Sequence, residues 1–261
     1  MMKGLRVAPV LLMFYSLLSA AQESKIGSLT GNGNAGKELY RRYCITCHGK
    51  HGDGAGENAP HLDPRPRDFT RAAFKCRSTP SGSLPTDTDL YNTISRGVYN
   101  SAMPSWEPLT RQQRANLVAY IKTFSPRFHD EPPAPSVPIP LEPPASAEAV
   151  ERGAKLFQDM NCWSCHGKEG RGNGPSALTL TDSKGYPILP FDLTSGNHFK
   201  CGETSRDLFK DLATGLDGTP MPSFTDALKP DQIWDLVHYI QTLVENDRGF
   251  FHRAKLERKL Q

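Results

Sequence analysis

The sequence predicts a mainly α-helical protein with two small domains in tandem, joined by a proline-rich linker and carrying long glycine- and proline-rich loops. Three observations predict this fold class. A set of short motifs recurs once at a fixed offset, 22 glycines and 22 prolines stand among 261 residues, and apolar residues recur at helical spacing between the loops. A chain so rich in helix and strand breakers is expected to form short helices rather than a strand-rich core.

The composition excludes two broad classes of protein. Thirty-one basic residues stand against 28 acidic ones, a formal charge of +3, so the chain lacks the basic excess typical of nucleic-acid binders. Apolar residues make up 37% and charged residues 23%, which argues against a disordered chain. The composition therefore favours a folded protein that does not bind nucleic acid.

The N-terminus has the pattern of an export signal. Lys3 and Arg6 are followed by 15 uncharged residues from Val7 to Ala21, and Ser19-Ala20-Ala21 supplies small residues for cleavage. A membrane-spanning helix needs about 20 apolar residues, so a cleaved signal peptide (residues 1–21) is favoured over an uncleaved anchor. We therefore expect a periplasmic protein, in a compartment where cysteines can form disulfides.

The repeat defines the domains. Cys44-Ile45-Thr46-Cys47-His48 returns 118 residues later as Cys162-Trp163-Ser164-Cys165-His166. The following glycines, an Asp-Leu-aromatic string and a Met-Pro-Ser-aromatic string return at the same offset, which indicates a duplicated domain of about 100 residues. We place domain 1 at residues 33–124, the linker at 125–145, domain 2 at 146–245 and a basic tail at 246–261.

Each domain is predicted to contain three main helices. The first precedes the first cysteine, over 36–43 and over 148–160 behind a Ser146 N-cap. It pairs a glycine with an aromatic residue four positions later on one helix face, where the glycine is expected to permit close approach of another helix and the ring to pack. The second begins at Thr86 or Thr204 in a pattern similar to a capping box, with Asp at the third position. The third carries an apolar stripe at helical spacing, which we interpret as core packing.

The linker between the domains contains eight prolines in residues 125–144. Proline lacks a backbone N–H, so we expect neither a helix nor a central strand here. A stiff, extended strap is favoured over a disordered tether.

The two C-x-x-C-H strings predict covalently bound haem. Two thiols separated by two residues can form thioethers with the two vinyl groups of one porphyrin, and the adjacent histidine can then bind the iron. A zinc site or a redox dithiol would share part of this pattern, but zinc needs further ligands and the other histidines do not repeat. We therefore predict two haem c groups, attached at Cys44 and Cys47 and at Cys162 and Cys165, with His48 and His166 as axial ligands.

Two methionines are candidates for the second axial ligand. Met103 and Met221 each lie 55 residues after their histidine, in Met-Pro-Ser-aromatic strings. The proline keeps the methionine backbone extended, and Trp106 or Phe224 is placed to pack against the porphyrin. Met160 has no counterpart in the first copy and is interpreted as a core residue; the alternative for the other two is also core packing.

Over about 200 of its 261 residues the chain resembles the tandem, dihaem class I cytochromes c of bacteria. The resemblance implies that a loop proline carbonyl accepts a hydrogen bond from each ligand histidine, here Pro60 and Pro175. It also implies an electron carrier, not an enzyme, that exchanges electrons with periplasmic or membrane-bound redox partners. The alternatives are a dihaem peroxidase, a thiosulfate dehydrogenase, or a cytochrome subunit associated with a membrane respiratory complex.

Two further cysteines lie outside the haem motifs, in the matching strings Phe74-Lys75-Cys76 and Phe199-Lys200-Cys201. Paired positions of a duplicated chain can meet at the axis that relates the copies, so a Cys76–Cys201 disulfide is one expectation. Two free thiols, or a thiolate bound to iron, are the alternatives. In the tail, five basic residues between 248 and 259 are expected either to dock an acidic partner or membrane or to form a solvated helix end.

Overall fold

The computed structural model describes residues 23–196 and 198–257, and side chains up to Val244. The predicted signal peptide and the side chains of the predicted basic tail lie outside the described residues. Two short strands come first, and helices follow in both domains. Their bounds are β1 (Glu23–Ile26), β2 (Leu29–Asn32), α1 (Gly33–Tyr43), α2 (Ile45–His48), α3 (Asp87–Arg96), α4 (Arg111–Lys122), α5 (Arg127–Asp130), α6 (Ala147–Asp159), α7 (Cys162–His166), α8 (Ser205–Thr214) and α9 (Pro230–Glu257). The predicted mainly α-helical class is confirmed.

Each domain is built on one close helix pair, α1 with α4 and α6 with α9. A Cβ atom added to Gly36 would lie 2.0 Å from the Asn116 carbonyl oxygen, and one added to Gly153 would lie 2.0 Å from that of Asp235. Glycine at these positions therefore lets two helix backbones approach within contact distance, as the Gly/aromatic pattern predicted. The aromatic partner in domain 1, Tyr40, is almost fully buried in the same contact.

The predicted N-caps of α3, α6 and α8 are confirmed, whereas α1 begins at Gly33 and not at the predicted residue 36. Thr86 and Thr204 each accept a hydrogen bond from the backbone N–H three residues on, and the Asp at that position accepts one in return. Ser146 caps α6 by accepting from Ala149 N. These caps fix where α3, α6 and α8 begin.

Domain 1 also contains a β-hairpin that the sequence pattern did not predict. β1 and β2 pair in antiparallel register, with Glu23 opposite Asn32. The hairpin packs on α4, where Ser24 Oγ donates to the Ala115 carbonyl at 2.8 Å and Ile26 is buried. The hairpin precedes the predicted boundary at residue 33 and packs as part of domain 1.

The proline-rich linker departs from prediction at its start. The short helix α5 begins after Pro126, which serves as its N-cap, because proline is tolerated where no intrahelical N–H bond is needed. From residue 131 to 145 the chain is extended, as predicted. Val137 N donates to the Ser78 carbonyl of domain 1 at 2.8 Å, while the Val137 and Ile139 side chains pack against the core of domain 2. The linker is a strap bound to both domains.

The domains meet at a covalent and ionic interface. Cys76 and Cys201 form a disulfide with Cα atoms 5.3 Å apart, so the predicted pairing is confirmed and neither sulfur is a free thiolate. The next residue, Arg77, is fully buried and forms an ion pair with Asp217 at 2.8 Å. Its guanidinium also donates to the Thr214 carbonyl at the end of α8.

The last helix, α9, continues through the predicted boundary at residue 245 to Glu257. None of the helices in the described ranges combines the length and apolar character that a membrane-crossing segment needs.

Candidate haem sites

Both C-x-x-C-H strings fold as a single helical turn at the end of the first long helix. Cys44 N donates to the Tyr40 carbonyl at 2.8 Å and His48 N to the Cys44 carbonyl at 2.9 Å. Residues three or four apart lie on one helix face, so this turn gathers both thiols and the imidazole. α7 has the same arrangement in domain 2, with Gly167 N donating to the Trp163 carbonyl at 2.8 Å.

The four motif cysteines are partly buried and form no disulfide. Burial, with a smaller contribution from the neighbouring Cys47, raises the pKa of Cys44 to about 12. Burial also raises the pKa of Cys162 to about 11. The Cys44 and Cys162 thiols are therefore protonated at neutral pH, which is compatible with thioether attachment.

Each ligand histidine is oriented by a backbone carbonyl. His48 Nδ1 donates to the Arg67 carbonyl at 3.0 Å, and His166 Nδ1 donates to the Phe191 carbonyl at 2.9 Å. A carbonyl only accepts, so Nδ1 carries the proton and Nε2 keeps the lone pair that binds a metal. Burial lowers the pKa of both imidazoles, which keeps them in the neutral, ligating form at pH 7.

The carbonyls of Pro60 and Pro175, expected from the resemblance to class I cytochromes, are not the acceptors. Pro60 lies in the short 3₁₀ helix Ala59–His61. Pro175 lies two residues before a second 3₁₀ helix, Ala177–Thr179. The accepting residues follow Pro66 and Pro190 instead. The sequence did carry a signal for this, because both belong to the matched Pro-x-Asp-[Phe/Leu]-Thr strings.

The glycine-rich loop explains how these strings reach the histidines. Phe69 N donates to the Gly52 carbonyl at 2.6 Å, and Leu193 N donates to that of Gly170 at 2.7 Å. Gly54 has φ +73°, and a Cβ there would lie 2.6 Å from the Pro66 carbonyl oxygen. The loop therefore needs glycine both for its left-handed backbone and for the close approach of the string.

The two methionine loops are held by matching hydrogen bonds. Val98 N donates to the Met103 carbonyl and Leu216 N to the Met221 carbonyl, both at 3.1 Å. Two residues after each methionine, a serine hydroxyl donates at 2.7 Å to a carbonyl near the end of the preceding helix. The loops therefore present both methionines on equivalent, fixed backbones.

In domain 2 the predicted residues meet in one cavity of about 530 Å³. Five of them line it, namely Cys162, Cys165, His166, Met221 and Phe224. Met160 also lines this cavity while packing against the core, so domain 2 offers two methionines to the same space. Pro175 does not line it. The size, largely apolar walls and ligand set fit a haem.

The segment from Leu180 to Ile188 in domain 2 forms part of this cavity. Its ends are joined by a bridge between Thr181 and Pro187, and Leu180 and Ile188 face the cavity. Lys184 reaches across to domain 1, where its ammonium lies 3.3 Å from an Asp68 carboxylate oxygen. This segment therefore contributes both to the domain 2 cavity and to the contact with domain 1.

In domain 1, Cys44, Ile45 and Trp106 pack against the core, and the Trp106 ring lies 5.3 Å from that of Tyr43. The buried Trp106 Nε1 has no hydrogen-bond acceptor in the structure. An unsatisfied buried donor is costly, and an acidic group of a bound cofactor would satisfy it. The sequence predicted Trp106 as a packing residue, and its orphaned N–H was not foreseen.

No other metal site competes with this interpretation in the ranges that the structure describes. Within them, no group of three or more His, Cys, Asp or Glu side chains is arranged to hold a metal ion. The zinc alternative needs such a group, so the described residues give it no support.

The fold and the two motif turns define a c-type cytochrome with two domains. Comparison with known proteins agrees: the cytochrome c family model matches residues 150–244, and the model for subunit III of cbb3-type cytochrome c oxidase matches residues 31–121. A chain of the Kuenenia stuttgartiensis reducing HAO-like protein complex is 47% identical, with a TM-score of 0.79 over 80% of this chain and 96% of that one. The chain belongs to the cytochrome c family.

Two curated relatives cover less of their own length. The cbb3-type cytochrome c oxidase subunit FixP of Sinorhizobium medicae is 28% identical over 149 residues, 54% of this chain and 40% of that protein. The subunit CcoP of Rhodobacter capsulatus is 28% identical over 141 residues, 53% of this chain and 40% of that protein. The chain thus spans well under half the length of these two relatives.

Proposed function

We propose that the protein is a periplasmic dihaem cytochrome c that carries single electrons between redox partners, with one His/Met-ligated haem c in each domain. The observation that carries the proposal is the duplicated geometry: each copy sets a neutral, carbonyl-oriented histidine beside two thiols and holds a Met-Pro loop on the same hydrogen bonds. Haem c would supply a one-electron Fe(III)/Fe(II) couple, and a thioether ligand raises its potential.

The chain's own residues have distinct tasks in this function. The four motif cysteines would hold the porphyrins, and the histidine Nε2 atoms and methionine sulfurs would saturate the iron positions. The Arg67 and Phe191 carbonyls keep the imidazoles fixed in one tautomer and orientation. Because a fixed ligand set changes little between oxidation states, it suits fast electron exchange rather than bond-making with a substrate.

A redox titration of the purified protein, followed by absorption spectra, tests this proposal. We expect two haems per chain, six-coordinate spectra and no carbon monoxide binding by the reduced protein. Met221→Ala should open one iron to carbon monoxide. Met160→Leu is the matched control, since it removes the other cavity methionine, and it should leave the iron closed. Carbon monoxide binding by the wild type would instead favour an enzyme such as a peroxidase or a thiosulfate dehydrogenase.

Export is tested separately by the mass of the mature chain. Cleavage after Ala21 leaves Gln22 as the first residue of a protein recovered from the periplasm. A full-length chain retained in the membrane fraction would contradict this part of the proposal.

A fixed subunit of a larger redox complex is the second candidate. It is favoured by the 47% identity to one chain of a protein complex. The alignment covers 96% of that matched chain. Co-purification with a larger redox enzyme from native cells would support it, and a freely diffusing monomer would support the mobile carrier.

A further inference from the structure

The matched Phe-Lys-Cys strings bring one lysine from each domain to the same place. Lys75 and Lys200 directly precede the two cysteines of the inter-domain disulfide, whose Cα atoms are 5.3 Å apart. Both lysines line the domain 2 cavity that contains His166 and Met221. Domain 1 therefore contributes a cation to the wall of the domain 2 site.

The two ammonium groups have few partners within the protein. Lys200 Nζ donates to the Asn100 carbonyl at 2.9 Å, and Lys75 forms no hydrogen bond or ion pair with the residues that the structure describes. Burial, with smaller contributions from the cations of Arg67 and Lys200, lowers the pKa of Lys75 to about 7. Burial lowers the pKa of Lys200 as well.

Burying the Lys75 and Lys200 ammonium groups in this cavity is unfavourable unless an anion binds beside them. Cations that lose water without gaining a counter-charge cost free energy, and Lys75 lies near two further cations, Lys200 and Arg67. Asp63, which also lines the cavity, and Asp182 are the acids that act on Lys75, but neither forms an ion pair with it. A carboxylate entering the cavity would form charge-assisted hydrogen bonds with the ammonium groups.

We propose that Lys75 and Lys200 bind the propionate carboxylates of the haem in domain 2, so that domain 1 supplies part of the anion site for its neighbour's cofactor. The inference rests on the proposed haem in this cavity. Because a nearby cation stabilises the reduced, less positive iron, Lys75 then raises the reduction potential of the domain 2 haem from the other domain.

Charge-removing variants test the proposal on the full-length holoprotein. In Lys75→Met and Lys200→Met, we expect the oxidised-to-reduced ratio of the domain 2 haem at a fixed potential to rise about tenfold, equivalent to about 59 mV for one electron. The domain 1 couple should move less. Met221→His, which changes one axial ligand, identifies which couple belongs to domain 2. Lys229→Met, an exposed lysine outside the cavity, is the charge-matched control.

Two further readouts separate charge from packing. Resonance Raman bands of the propionate groups should shift in Lys75→Met and not in Lys229→Met. Lys75→Arg keeps the cation and should retain most of the wild-type potential, even if Lys75→Met takes up less haem. Equal effects of Lys75→Arg and Lys75→Met, or a domain 2 couple in Lys75→Met that matches Lys229→Met, would overturn the proposal. Failure of the wild type to bind two haems would instead overturn the proposed function.

Discussion

In domain 1 the His48 imidazole stacks on the Phe69 ring, with centroids 4.4 Å apart and planes 19° from parallel. In domain 2 the matched position carries Leu193, and no aromatic ring stacks on His166 among the described contacts. The hydrogen bonds to the two imidazoles nevertheless agree within 0.1 Å, at 3.0 and 2.9 Å. The backbone that positions the ligands has thus been kept in both copies, while the side chains around them have diverged.

The same contrast appears at the interface. α8 carries Asp211, fully buried beside the domain 2 cavity, where α3 has Thr93 at the matched position. Beyond the disulfide, domain 1 has the buried Arg77 where domain 2 has Gly202. In each of these two matched pairs, only one domain carries a charged residue. This asymmetry would give the two proposed haems different reduction potentials.

The largest expected effect comes from removing the bond that joins the two copies. In Cys76→Ser/Cys201→Ser, the closed loop of about 125 residues is opened in the unfolded chain, so we expect the free energy of unfolding to fall by roughly 5 kcal/mol. Chemical denaturation followed at both haems measures this, and the two domains should then unfold in separate transitions. Wild-type protein under reducing conditions is the control. A single unchanged transition would show that the interface holds without the disulfide.

The second prediction concerns the buried carboxyl of domain 2. Burial raises the pKa of Asp211 to about 7, with Asp207 raising it and the cations of Lys210 and Arg96 opposing the shift. A raised carboxyl pKa contributes stability that is fully present below pH 3.8 and is lost as pH rises through 7. Asp211→Asn should remove this loss, up to roughly 4 kcal/mol by the size of the shift.

The measurement is the free energy of unfolding of the holoprotein at several values between pH 4 and 8. Asp211→Thr, which installs the domain 1 residue, should be as flat in pH as Asp211→Asn. A wild type and Asp211→Asn with parallel pH profiles would contradict the prediction and show that the carboxyl is stabilised by a partner.

The third prediction concerns Arg77. Its replacement by methionine removes the donors to the Phe74 and Thr214 carbonyls and leaves Asp217 without its buried partner. Breaking such a pair should cost about 3 kcal/mol. Arg71→Met is the matched control, because Arg71 also donates across the interface, to the Ser183 carbonyl, but is exposed. Its loss should cost no more than about 1 kcal/mol. Equal losses in the two variants would refute this difference.

Much of the fold and site follows from sequence because it rests on local rules. The capping boxes at Thr86 and Thr204, the close glycine contact at Gly36 and the disulfide pairing needed only spacing and the duplication. The hairpin at residues 23–32 was not predicted, because it is a single pair of four-residue strands that is stabilised by packing on a helix about 90 residues away in the sequence. No local pattern encodes that contact.

The carbonyls that orient the two histidines were not predicted correctly, for a related reason. A backbone oxygen has no side-chain signature, so the sequence cannot say which residue of a long loop places one beside His48. The matched strings around Arg67 and Phe191 showed that the segment was repeated but not that it folds back onto the glycine-rich loop. The buried Arg77 has no arginine at the matched position of domain 2, so the duplication gave no signal for it.

The smallest expected effect comes from exchanging the residues that distinguish the surroundings of the two histidines. Phe69→Leu removes the stack on His48 and the contacts with Phe74 and Phe124, which should cost about 1 kcal/mol of unfolding free energy. Leu193→Phe adds a ring to a buried position that lines the domain 2 cavity.

The informative measurement is the difference between the two reduction potentials in each variant. If the ring beside the histidine contributes to the asymmetry, Phe69→Leu should change the gap by moving the domain 1 couple alone, and Leu193→Phe by moving the domain 2 couple alone. A gap unchanged in both variants would assign the asymmetry to the charges at the interface, because the hydrogen bonds to the imidazoles are already the same in both domains.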